Sequence, residues 1–531
     1  MTRRNSKTEC SSAQRMLSSD SLPGNWIPNS LRVSRGIAGM TFVLGLLYFY
    51  LCSLPIWHTD VWGHLSYGRY LWETTSLPAT EPLLPLSKEI PFIDGPWLSQ
   101  LIAFAVVSTP RLQLAGLQGL FAVMLTSCGA MLSWSSYSQT KNGLFAFLSL
   151  SVFLLVGWDH LMILRPQLAG LVCFLVVLTR LVRNPCLKSD WIVIPTVFAV
   201  WANLHSSFFV GLGLLGCFCL GRIFDVLKRT CSMKACLLDS HARRFFSLTL
   251  FAAAAVLINP YTFRLYRESL SFSANENLQD LSEWQPLTIK DPVGQIVAVA
   301  AIILATIYRL SPRRVRYWEV FSLLGLGIAT LWCSRIVVWL APVFALIMTQ
   351  HAFAVWCRWT GSSRVADHPA RSSKWSLITV ALAGICFFTS PLGTAVLTGK
   401  HAAKIQSVSR DTPVFAAEYL AEHPPDGMVF ATLELADYVQ WAGPEDLQLF
   451  VNSHAHLIPR DVWLAYMRVI EQRDGWRETL NYYGINTLIL DRANRASLID
   501  KLKIDPTWIS PPIERDGQVI FFRQTTDIEH R

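Results

Sequence analysis

Apolar runs long enough to cross a bilayer recur along most of this chain, and no other feature restricts its fold as much. A membrane-spanning helix needs roughly 20 apolar residues, and many such runs in one chain leave no soluble fold able to bury them all. The runs lie near residues 36–56, 113–135, 143–158, 167–183, 190–204, 207–226, 245–259, 292–310, 317–334, 336–354 and 375–397. Composition agrees: 52% of the residues are hydrophobic and 16% charged, against roughly 25% charged in soluble domains. The pattern predicts a polytopic α-helical membrane protein with about 11 transmembrane helices.

Residues 1–35 are polar, Ser-rich and basic, with Arg3, Arg4, Lys7, Arg15, Arg32 and Arg35, and precede a run too long for a signal-peptide core. They are expected to form a disordered cytoplasmic tail. Residues 97–109 are apolar over only 13 positions, which predicts an interfacial or re-entrant segment within the first external loop, 57–112. With that segment left out of the count, Lys141, Arg180, Arg183, Lys188 and the basic residues of 222–244, 313–316 and 358–374 all fall on the cytoplasmic side. The net charge of +9 is therefore topological and predicts no nucleic-acid partner. The twelve cysteines form no CxxC pair and read as small buried hydrophobes or reduced thiols.

The same topology gathers the unusual polar residues on the outer side. Asp60 and His64, four residues apart, share one helical face just after the first span. Glu73, Asp94, Trp97, Asp159, His160, Arg165, Gln167, Asn203, His205, Asn259, Tyr261, Glu283, Trp284 and Arg335 join them. Ionisable groups at membrane depth are costly and usually face a bundle interior or a watery cavity. One outward-facing polar cavity explains them all.

After about residue 400 the apolar runs shorten. Residues 428–433, 447–452 and 485–491 read as strands, alternating with helices such as 412–422, 461–472 and 477–483. The expected division is a tail (1–35), a transmembrane domain (36–400) and a small α/β extracytoplasmic domain (401–531), on the same side as the cavity.

Asp60-Val61-Trp62-Gly63-His64-Leu65, Gly68-Arg69-Tyr70-Leu71, Leu77-Pro78 and Gly95-Pro96-Trp97-Leu98 resemble the first external loop of bacterial multi-spanning proteins related to the GT-C glycosyltransferases. Arg165-Pro166-Gln167, Trp201-Ala202-Asn203-Leu204-His205, Asn259-Pro260-Tyr261 and Glu283-Trp284 extend the similarity over about 36–350. The resemblance implies an inner-membrane enzyme, with a cytoplasmic N-terminus and a periplasmic C-terminal domain. It would move a sugar from a polyprenyl phosphate carrier to an envelope glycan, lipid or protein acceptor.

On this reading Asp60 is the general base for an inverting transfer, with His64 beside it. Burial could raise the Asp60 pKa toward neutrality, or a neighbouring cation could keep the group ionised. Arg165 and Arg335 are candidates for the donor phosphate, with snorkelling or structural pairing to Asp159 or Glu283 as the alternative. Trp62, Trp97, Asp159, Asn203, His205, Tyr261, Glu283 and Trp284 are candidate substrate contacts. The aromatics fit an interfacial belt equally well, and Asn259-Pro260-Tyr261 equally terminates the seventh span. His64, His205 and Glu283 suit a divalent metal ion chemically, although backbone hydrogen bonding serves a histidine at a helix end as well. His454 and His456 follow a strand, in a loop that departs from the acidic residue, glycine and arginine of related chains. A flippase of lipid-linked glycans and a catalytically silent glycan-binding relative remain as alternatives.

Overall fold

The computed structural model describes residues 26–183, 187–272, 274–361 and 371–524. Most of the expected tail (Arg3 to Arg15) and Arg364 lie outside these residues. Residues 29–34, within that expected tail, carry a 3-10 turn and the short strand Val33–Ser34.

Each apolar run folds as helix. The helices are Arg35–Ser53, Gln113–Thr140, Gly143–Leu161, Gln167–Leu181, Asp190–Leu204, Phe208–Thr230, Ser240–Val256, Pro292–Leu310, Tyr317–Trp332, Val337–Thr360 and Ser373–Phe388 with Pro391–Thr398. Among the described residues, six helices are long and apolar enough to cross a membrane by themselves, and four apolar ones are shorter. The last run, expected as one straight span, instead bends by 76°. Pro391 has no N–H to continue a helix, and Ser390 caps the new one by accepting from Gly393 N at 3.0 Å.

Apolar surface decides which helices lie inside. The helix at Val337–Thr360 is the axis, buried over 83% of its most apolar window, whereas Arg35–Ser53 and Pro292–Leu310 are buried over only 17% of theirs. Apolar helices so open on one side are suited to lipid.

Contacts define the two ends of the bundle. At one end Val33 pairs with Ser372 and Ser34 with Arg371 in an antiparallel ladder, and Ser34 Oγ meets Tyr137 Oη at 2.6 Å. Basic residues tie this end together: Arg180 and Arg244 grip the buried Asp190 at 3.0 and 2.6 Å, and Arg313 holds Glu319 at 3.0 Å. At the other end Trp57 Nε1 donates to Met162 O, Ser99 Oγ to Leu204 O, and Ser334 N to Gln285 O.

The C-terminal domain docks on this second end. Its sheet runs in the order 448–449, 428–431, 485–491, 518–522, 513–515, with the first three strands parallel and the rest antiparallel. The hairpin 513–522, absent from the sequence expectation, turns at Asp516-Gly517, both at positive φ (53° and 79°), the backbone that a two-residue hairpin turn requires. Residue 56 pairs with 408 in a parallel bridge. Arg69 Nη2 donates to Trp441 O at 2.6 Å while its guanidinium lies 3.9 Å over the Trp441 ring.

Candidate active site

The first external loop supplies the helix Asp60–Thr74, with Asp60 in its first turn. Negative charge is favoured there by the exposed N–H groups of the helix start. A second helix, Trp97–Ser108, follows in the same loop; its 12 residues are too few to cross a bilayer. Arg165 enters from the turn after Gly143–Leu161, Glu283 from the 3-10 turn Ser282–Trp284, and Arg335 from the 3-10 turn Ser334–Ile336.

These four residues converge. Arg165 Nε lies 2.7 Å from Asp60 Oδ2, and Arg165 Nη1 lies 2.6 Å from Glu283 Oε2. Arg335 Nη1 reaches Glu283 Oε1 at 3.0 Å, and its guanidinium lies 5.3 Å over the Trp284 ring. Arg165 Nη2 is 2.9 Å from His58 Nε2. A guanidinium can only donate, so His58 Nε2 accepts, while Nδ1 faces both Asp60 N at 3.3 Å and Asp60 Oδ1 at 3.5 Å. Burial keeps this imidazole neutral by lowering its pKa.

Burial pushes the Asp60 carboxyl up, but the Arg165 guanidinium, with help from His58 and Arg335, outweighs it and holds the group well below the usual carboxylate range. Asp60 is therefore ionised. Glu283 is lowered for the same reason, burial being outweighed by Arg335 and Arg165.

A second polar layer, beside this cluster, joins the first external loop to the C-terminal domain. Asp437 Oδ2 accepts from Thr59 Oγ1 at 3.1 Å and Oδ1 from Ser453 N at 3.1 Å. Burial, reinforced by the Asp60 charge, raises Asp437 to about 7. His64 is held by Gln100, Nδ1 to Nε2 at 3.2 Å, and meets His454 edge to face at 5.0 Å. His454 is buried with both ring nitrogens lacking a hydrogen bond, and burial lowers it to about 4.

Other expected contacts are committed elsewhere. Trp62 is buried against Tyr438, ring centroids 4.8 Å apart, and belongs to the domain interface. Trp97 Nε1 donates to Asn203 Oδ1 at 3.0 Å while Asn203 Nδ2 donates to Ala199 O and Ile258 O, so this pair ties helices together. His205 Nδ1 accepts from Ser207 N at 3.1 Å, just before Phe208–Thr230 begins. Asn259 Oδ1 accepts from Tyr261 N at 2.7 Å past the end of Ser240–Val256, the helix stop expected of Asn-Pro-Tyr. The Tyr261 hydroxyl is buried without a hydrogen-bond partner. Asp159 is exposed and is not a partner of Arg165, whose carboxylates are Asp60 and Glu283.

The three residues expected as metal ligands are not gathered into one group. Among the described residues, no group of three or more His, Cys, Asp or Glu side chains is placed to hold a metal ion. His64, His205 and Glu283 face Gln100, Ser207 and the two arginines instead. His58 and Asp437 were not expected as site residues. For His58 the signal was its place two residues before Asp60; Asp437, on the helix Leu433–Ala442, had none.

No family model matches the chain, and no curated relative matches its sequence. Solved structures do. ArnT from Cupriavidus metallidurans bound to undecaprenyl phosphate superposes with a TM-score of 0.50 at 11% identity, covering 91% of this chain and 97% of that one. The apo state of the same protein gives 0.50 at 10% identity over the same shares. The chain thus has the multi-spanning helical fold of ArnT.

Proposed function

We propose that the chain is an integral membrane glycosyltransferase that moves a sugar from a polyprenyl phosphate carrier to an envelope acceptor at the extracytoplasmic face. The carrying observation is the convergence of Asp60, Arg165, Glu283 and Arg335 at the end of the bundle covered by the C-terminal domain. Undecaprenyl phosphate bound to ArnT, a protein of the same fold, supports a lipid phosphate as the ligand. The proposed setting is the bacterial inner membrane, N-terminus cytoplasmic and C-terminal domain periplasmic.

Chemistry follows from the roles. The acceptor hydroxyl gives its proton to Asp60 as its oxygen attacks the anomeric carbon, and the bond from that carbon to the phosphate oxygen breaks with inversion. Negative charge growing on the leaving phosphate is met by Arg165 and Arg335, whose charge persists near lipid. A small, mainly apolar pocket of about 20 Å³, lined by Leu54, Ile56, His58, Val61, Phe121 and Leu164, lies beside His58.

The test presents purified protein in lipid nanodiscs with polyprenyl-phosphate sugars of several kinds and follows carrier release by transfer or slow hydrolysis. Turnover of at least one donor is expected. Binding without turnover across the panel would move the assignment to transport or to glycan binding.

A further inference from the structure

The side chain of Glu283 is not needed to hold its own turn. The Glu283 carbonyl accepts from Ser334 Oγ at 2.9 Å and the Gln285 carbonyl from Ser334 N at 3.0 Å, so the backbone is anchored independently. Glu283 is also the most open member of the cluster, 24% exposed against 20% for Arg335, 18% for Asp60 and 5% for Arg165. It is therefore the member freest to turn away.

Its two carboxylate oxygens are shared between two guanidiniums, Oε2 to Arg165 and Oε1 to Arg335. The phosphodiester of a lipid-linked sugar presents the same pattern, two equivalent oxygens carrying one negative charge. Charge counting points the same way. Asp60 and Glu283 cancel Arg165 and Arg335, so a phosphodiester added to the filled cluster would bring an uncompensated anion into a poorly solvated site. A phosphodiester that replaces the Glu283 carboxylate keeps the count unchanged.

We propose that Glu283 is a resident stand-in for the donor phosphate, displaced when that phosphate binds between Arg165 and Arg335. The inference rests on the lipid-phosphate donor proposed above and adds a specificity role to Glu283: it exchanges for a ligand bearing negative charge and gives a neutral isoprenoid no advantage.

The experiment measures binding of undecaprenyl phosphate to full-length wild type, Glu283→Gln and Glu283→Ala in nanodiscs, with undecaprenol as the neutral control and melting temperature as the check of folding. Both variants are expected to bind undecaprenyl phosphate tighter than wild type by about tenfold or more, with undecaprenol unaffected. Equal or weaker phosphate binding by folded variants overturns the stand-in role while leaving the donor reading intact. A parallel gain for undecaprenol overturns it too, because the effect would not be phosphate recognition. If no form binds undecaprenyl phosphate, the donor reading fails, and the inference with it.

Discussion

Gly63 lies directly beneath His454: a Cβ at position 63 would come within 2.8 Å of His454 Cε1 and 3.2 Å of Asp437 Cγ. The loop helix and the C-terminal domain meet at contact distance only because residue 63 has no side chain. Gly63→Ala is expected to loosen this docking at a cost of about 1–3 kcal/mol. Thermal unfolding should show the loss, and limited proteolysis should cut more readily near residues 400–412.

The two arginines should separate in their effects. Arg335 has one carboxylate partner and an indole face, and Arg335→Ala should raise the donor KM by about tenfold with little change in melting temperature. Arg165 serves Asp60, Glu283 and His58 together. Arg165→Ala strands Asp60, leaves Glu283 with Arg335 alone, and should destabilise by about 3 kcal/mol or more. Steady-state kinetics and unfolding on the same preparations check both expectations.

Asp437 sets a pH dependence with a definite sign. Its pKa is raised to about 7 in the folded protein from an ordinary 3.8, so its protonated form stabilises the fold fully below about pH 4, and that contribution is lost as pH rises toward 7. His454 works oppositely: lowered to about 4, it loses stability as pH falls from 6.5. Asp437→Asn keeps a neutral group at the site. The variant should match wild type at about pH 4, pull ahead as pH rises and melt several degrees higher at pH 8, which paired melting curves would show.

Much of this architecture was legible in the sequence, for physical reasons. Long apolar runs have no outcome but helix, and each folds so, the last broken into two helices at Ser390-Pro391. Asp60, Arg165, Glu283 and Arg335 were visible because charge at membrane depth is costly enough to mark a shared cavity. The pairing of both arginines with Glu283 was among the alternatives, whereas most other partners were not visible. Trp97 and Asn203 look like ligand-binding side chains until their mutual hydrogen bond is seen, and Trp62 until Tyr438 covers it. Asp437 sits in an ordinary amphipathic helix, and only the docking of two domains gives it a place beside Asp60. The bend at Ser390-Pro391 carried a local signal, a cap followed by proline, that an uninterrupted apolar run masked.

The most direct measurement of the central claim compares release of radiolabelled sugar from polyprenyl phosphate by wild type and Asp60→Asn, matched for melting temperature. Loss of the base should lower the rate by about 100-fold or more while undecaprenyl phosphate still binds. An Asp60→Asn protein that turns over donor at the wild-type rate would contradict the account, because the carboxylate held by Arg165 would then take no part in the chemistry.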